Sequence, residues 1–87
     1  MNKQIWKYSV ELSGDAFSRD IPRGADILSF QNQEGNLVFW ASVDPQEEKE
    51  GRFFVIIGTG MDFGLHEKHI GTVQDGAYVW HLFEIKP

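Results

Sequence analysis

The chain has 87 residues and no cysteine, and its 13 acidic side chains against 8 basic ones give a net charge of −5. That length is one domain, residues 1–87, and the missing thiols exclude disulfides, cysteine zinc sites and thiolate chemistry. The acidic balance argues against binding duplex DNA or RNA, whose affinity rests on phosphate neutralisation, and no apolar run reaches the length of a membrane span.

In chain order, Gln4 to Leu12 alternates Trp6, Tyr8, Val10 and Leu12 with Lys7, Ser9 and Glu11, the period of a strand with one buried face. After the Ser13-Gly14-Asp15 turn, Ala16 to Ile21 reads as a short second strand stopped by Pro22-Arg23-Gly24. Ile27 to Gln33 and Leu37 to Val43 read as an antiparallel pair joined at Glu34-Gly35-Asn36. Asp44 to Gly51 is the most polar stretch and reads as a solvated loop or hairpin tip. Arg52 to Ile57 is almost continuously apolar, the mark of a central strand, and Gly58-Thr59-Gly60 ends it. Met61 to His69 has no period and reads as a loop or one helical turn. Ile70 to Gln74 and Ala77 to Ile85 then form a hairpin, with Asp75-Gly76 as a type I′ turn.

These segments predict an all-β fold: a single small domain, mostly antiparallel, with six to seven short strands forming a sandwich or partly open barrel. A core this small favours a homodimer or higher homo-oligomer as a source of further burial. Trp6, Trp40 and Trp80 each bring a large apolar area and an N–H that needs a partner.

Chemistry-bearing residues are few. His66 and His69 would share one face of a helical turn, and Asp62 or His81 would be needed to complete a metal shell, but Lys68 lies between the two histidines. No metal and no cofactor are therefore expected. His81 lies on a strand face with Ala77, Val79 and Phe83, where a hydrogen-bonded structural histidine is the ordinary reading. No spacing of Ser, His and Asp indicates a hydrolase, so no enzyme is expected. Gly58-Thr59-Gly60 has the small residues and hydroxyl of a phosphate cradle without the lysine and helix of a P-loop; its plainer reading is a strand-ending bend. Aromatic side chains with Arg52 nearby would suit a base and its phosphate.

Several segments together resemble a family of small, poorly characterised proteins encoded by bacteriophages and prophages. They are Ile5-Trp6-Lys7-Tyr8, Ile21-Pro22-Arg23-Gly24-Ala25 with Ile27-Leu28, and Phe39-Trp40-Ala41 with Val43-Asp44-Pro45. They continue through Ile57-Gly58-Thr59-Gly60, Ile70-Gly71-Thr72-Val73 and Trp80-His81-Leu82-Phe83-Glu84. The resemblance spans nearly the whole chain and carries no catalytic residues. It implies a small accessory protein in the cytoplasm of an infected bacterium, in keeping with an N-terminus, Met1-Asn2-Lys3-Gln4, that lacks a secretory apolar run. By analogy with that context, the expected function is an anti-defence sponge that sequesters a nucleotide-derived immune signal at Arg52, Gly58, Thr59, Gly60, Gly71, Thr72 and Trp80. The alternative is an inhibitor of a host defence or nucleic-acid-binding protein, meeting it through Glu47, Glu48 and Glu50.

Overall fold

The computed structural model describes residues 2–64 and 66–86. Seven strands carry the fold: β1 (Gln4–Ser9), β2 (Phe17–Pro22), β3 (Asp26–Gln33), β4 (Asn36–Val43), β5 (Lys49–Gly58), β6 (Glu67–Asp75) and β7 (Tyr78–Ile85). They form two sheets, β1-β4-β3 and β2-β5-β7-β6, with every pairing antiparallel. The two sheets pack as a sandwich and do not close into a barrel. Among the described residues there is no helix.

The alternation in sequence explains which face each strand buries. Trp6 and Tyr8 of β1, Leu37, Phe39, Ala41 and Val43 of β4, and Ile27 and Phe30 of β3 turn inward from the three-stranded sheet. Phe17, Ile21, Phe54, Ile56, Val73, Trp80 and Leu82 meet them from the other sheet. An aromatic column crosses the interface: Tyr8 stacks on Phe39 at 5.2 Å, Phe39 meets Phe54 at 4.7 Å, and Phe54 stacks on Phe17 at 5.9 Å. Phe39 and Phe54 are fully buried, and each contributes roughly 1.5–3 kcal/mol from burial alone.

The two open sides of the sandwich are managed differently. On one side β3 meets β6, and the close approach is at Gly71, where a Cβ would lie 3.2 Å from Phe30 Cβ. Asn32 Nδ2 there donates to Gln74 O at 3.1 Å. On the other side the Arg19 guanidinium bridges the edge strands β1 and β2. It donates to Ser9 O at 3.0 Å and Ser18 O at 2.7 Å, and pairs with Glu11 at 3.0 Å. Edge-strand backbone left bare is a template for aggregation, and a charged side chain laid along it blocks that pairing.

Strand β5 is the long central strand, but its neighbours are staggered. β2 pairs with it over Lys49–Phe54, and β7 over Phe53–Gly58. Its apolar run therefore serves two faces. Phe54 and Ile56 enter the core, while Val55 and Ile57 form a second cluster with Phe83 and Ile85 on the outer face.

Local readings of the sequence change at several strand ends. β1 stops at Ser9 rather than Leu12. β5 begins at Lys49, inside the polar stretch read as a loop or hairpin tip, because Lys49, Glu50 and Gly51 pair with β2. The last hairpin turns one residue later than Asp75-Gly76: Asp75 pairs with Tyr78, so Gly76-Ala77 is the loop. Gly76 has φ of 59° and Ala77 is not in the positive-φ region, the pattern of a type II′ turn with glycine first. Strand β6 also begins at Glu67, inside the stretch without a period, because Glu67, Lys68 and His69 pair with Ile85, Glu84 and Phe83.

Candidate functional site

The outer face of the four-stranded sheet carries an uninterrupted row of hydrogen-bonding side chains. Thr59 Oγ1 lies 2.8 Å from His81 Nε2, His81 Nδ1 lies 2.8 Å from Thr72 Oγ1, and Thr72 Oγ1 lies 2.9 Å from His69 Nε2. Three local features assemble it. The Gly76-Ala77 turn sets the β6–β7 register so that Thr72 faces His81. A bulge between His69 and Gly71 inserts Ile70 as an extra residue, which puts His69 and Thr72, three apart, on the same side of the strand. A hydrogen-bonded turn, Gly58 to Met61, swings Thr59 back over His81. Its closing bond runs from Met61 N to Gly58 O at 3.0 Å, with Gly60 at φ 91° as a type II turn requires.

Beside the Thr59 end lies a cavity of about 180 Å³ lined by Ile57, Gly58, Met61, Phe63, His81 and Phe83 as well as the turn. Phe63 and Phe83 stand 4.4 Å apart between ring centroids, and the His69 ring meets the edge of Phe83 at 5.3 Å. Phe63 and Met61 are exposed, at 59% and 55%. Each group in the row can donate or accept. In one polarity Thr59 donates to His81, His81 Nδ1–H donates to Thr72, and Thr72 donates to His69. In the other every bond reverses, His81 Nε2–H donates to Thr59, and the Thr59 proton is free to point outward. The row thus offers a ligand either a donor or an acceptor at Thr59. None of the residues lining this cavity is Lys or Arg.

The sequence-derived candidates divide between places. Gly58, Thr59 and Gly60 form the turn, and Thr72 is the third member of the row. Gly71 is turned inward against Phe30 and closes the two sheets. Trp80 also points inward, stacked on Tyr78 at 5.5 Å and supporting the turn from beneath: a Cβ at Gly58 would lie 3.4 Å from its ring. Among the described residues its buried Nε1 has no hydrogen-bond partner, and neither has the Tyr8 hydroxyl. Arg52 lies six residues from Gly58 along β5, roughly 20 Å away at strand spacing, and does not share the turn's surroundings.

Arg52 is instead bound into an ion pair. Its Nε and Nη2 grip the two Glu84 carboxylate oxygens at 2.6 and 2.8 Å, and Nη1 donates to Ala25 O at 2.6 Å. Both side chains are mostly buried, at 17% and 9% exposed. Burial alone would raise the Glu84 pKa, but the Arg52 hydrogen bonds and charge, with Lys86 at 3.7 Å, outweigh it and hold the carboxyl below its ordinary value. The hydrogen bond to Glu84 raises the Arg52 pKa in turn, against the opposing effect of burial. Burial also pushes the Tyr8 phenol up, with the Arg52 charge pulling the other way.

His66 lies in a turn and His69 on strand β6, so they do not share a helical face. Among the described residues no group of three His, Asp or Glu side chains converges to hold an ion. In the acidic stretch, Glu48 and Glu50 both flank Arg23, at 3.3 and 3.8 Å, and Glu48 O accepts from Arg23 N at 2.8 Å. No helix among the described residues is long and apolar enough to cross a membrane. The sequence offers His69 as a metal ligand or an acid–base group and marks neither Phe63 nor Phe83 as a site residue. The signal that would have found them is the hairpin register together with the bulge.

The chain belongs to the family described as Domain of unknown function (DUF7352), whose family model matches residues 1–87. No curated protein and no solved structure matches it.

Proposed function

We propose that the protein is a non-catalytic binding module that sequesters a nucleotide-derived ligand, with the base seated beside Thr59 on the outer sheet face. The observation that carries this reading is the Thr59–His81–Thr72–His69 row ending at a cavity walled by Phe63 and Phe83. A cavity of about 180 Å³ is smaller than the ~300 Å³ at the low end of sites for drug-sized ligands, so it seats one ring. The aromatic wall suits stacking, worth roughly 1–3 kcal/mol per base, and a base edge presents both donors and acceptors, as the row does. The rest of the ligand lies outward in solvent, because the cavity lining supplies no cation for a phosphate and Arg52 is held by Glu84. The resemblance to small phage-encoded proteins supplies a context in which such sequestration counters a host immune signal.

The test is thermal unfolding of the purified protein against a panel of linear and cyclic nucleotides, with isothermal calorimetry on any that stabilise it. A ligand that binds only the native state raises the melting temperature in a saturable way. Thr59→Val and His81→Gln are expected to abolish the rise while leaving the unliganded protein folded. A flat response across the panel would defeat the reading, and turnover of a bound nucleotide would replace sequestration with catalysis.

A further inference from the structure

One polarity of the outer-face row is that of an activated nucleophile. A hydroxyl within hydrogen-bond reach of a base, with the base oriented by a third group, is how a weak nucleophile is made reactive. Thr59 Oγ1 donates to His81 Nε2 over 2.8 Å, and His81 Nδ1–H donates to Thr72 Oγ1 over 2.8 Å. Thr72 is kept in that accepting role by giving its own proton to His69 Nε2, 2.9 Å away. Thr59 is exposed on its turn while His81 is half-buried beside it. The hydroxyl is thus open to an incoming carbonyl, and the imidazole that would take its proton is held in place.

We propose that Thr59 is a covalent acyl acceptor for an activated ester, with His81 as its general base and Thr72 as the residue that positions the base. Three observations select this chemistry. The cavity lining holds no Lys or Arg, which phosphoryl transfer needs to offset charge, whereas an acyl carbonyl arrives neutral. The cavity of about 180 Å³, walled by Ile57, Met61, Phe63 and Phe83, fits a short or single-ring acyl group. The group behind His81 is a hydroxyl and not the carboxylate of a hydrolase triad, so the imidazolium formed on proton transfer gains less stabilisation. The leaving group must therefore depart easily, as a phenolate or thiolate does and an amine does not. In the step itself, Thr59 Oγ1 bonds to the acyl carbon as its proton passes to His81 Nε2. The bond from that carbon to the leaving group breaks, and the phenolate or thiolate keeps the electron pair and takes the proton back from His81. Nothing is oxidised or reduced. Hydrolysis of the resulting threonine ester would have to expel an alkoxide, so the same weak assistance leaves the ester in place.

The probe is p-nitrophenyl butyrate, with the acylated residue located and its rate of formation followed by peptide mass mapping. The chain contains no cysteine, so no thiol competes for the acyl group. A persistent butyryl ester on Thr59 is expected. His81→Gln should slow its formation about 100-fold, the low end of what general acid–base catalysis contributes. Thr59→Ser keeps a hydroxyl at the turn and should still be acylated there, while Thr59→Val should not. Thr72→Val should slow the reaction and Thr72→Ser should restore it, since serine also accepts from His81 Nδ1–H. Thermal unfolding of each variant establishes that the comparison is between folded proteins. Butyryl groups confined to lysines, a Thr59 ester that forms equally fast in His81→Gln, or one that hydrolyses as fast as it forms would overturn the proposal. The assay uses no nucleotide, so its failure leaves the sequestration reading standing, and a flat nucleotide panel leaves this one standing.

Discussion

Substituting Gly71 with alanine tests the packing on which the candidate site rests. Gly71 neighbours Thr72 on β6, and the Cβ added there would sit 3.2 Å from Phe30 Cβ and 3.6 Å from Phe30 N. Phe30 is only 3% exposed, so its ring has little room to retreat and the β3 backbone must give. Forcing an extra carbon into a packed core costs typically 1–3 kcal/mol. Loss of glycine's freedom in the unfolded chain returns about 0.4–1 kcal/mol. The net expectation is about 1–2 kcal/mol of destabilisation, which for a domain of this size lowers Tm by roughly 5–15 °C. Urea and thermal denaturation measure it, with Gly51→Ala as the control: that position has an open surround, so the same change should be neutral or slightly stabilising. A Gly71→Ala protein as stable as its parent would refute the close approach of β3 and β6. It would return Gly71 to the list of residues free to meet a ligand.

Other consequences follow from the ion pair and the edges. Glu84→Gln leaves the Arg52 charge largely buried without its partner, and should cost about 3–5 kcal/mol by urea denaturation. Because the folded Glu84 pKa lies below its unfolded value, the pair's contribution is complete above the ordinary carboxylate pKa and is lost as pH falls through the lowered one. Stability profiles of the parent and Glu84→Gln should therefore converge in acid and separate toward neutral pH. Arg19→Ala removes the bridge between β1 and β2, and should cost about 1–2 kcal/mol. It should also raise the aggregation rate seen by light scattering, and unchanged aggregation would mean that the edge is protected by other means.

Most strands were legible because period two survives wherever one face is buried and the other wet, as from Trp6 to Val10 or Leu37 to Val43. The start of β6 was hidden because Glu67 and Lys68 are polar and the bulge at Ile70 breaks the alternation. The row was hidden by a single turn. With Asp75-Gly76 as the loop, Thr72 would oppose Val79; with Gly76-Ala77 it opposes His81. Thr59, Thr72 and His81 were each conspicuous in the sequence, but their contact depends on that register and on the fold of the Gly58 turn, and His69 joins them only through the extra residue at Ile70. Arg52 misled for another reason. Its partner Glu84 is 32 residues away, and nothing local marks an arginine already committed to a carboxylate.

The central claim is that a ligand meets the outer face at Thr59, and chemical-shift mapping tests it most directly. The ¹⁵N-labelled protein would be titrated with each nucleotide of the panel while backbone amides and histidine side-chain nitrogens are followed. The account predicts saturable shifts concentrated at Gly58 to Phe63, Thr72, His81 and Phe83, with His69 and His81 nitrogens responding together through Thr72. No shift with any nucleotide, or shifts centred on Gly51 and Arg52 with the histidines silent, would contradict it.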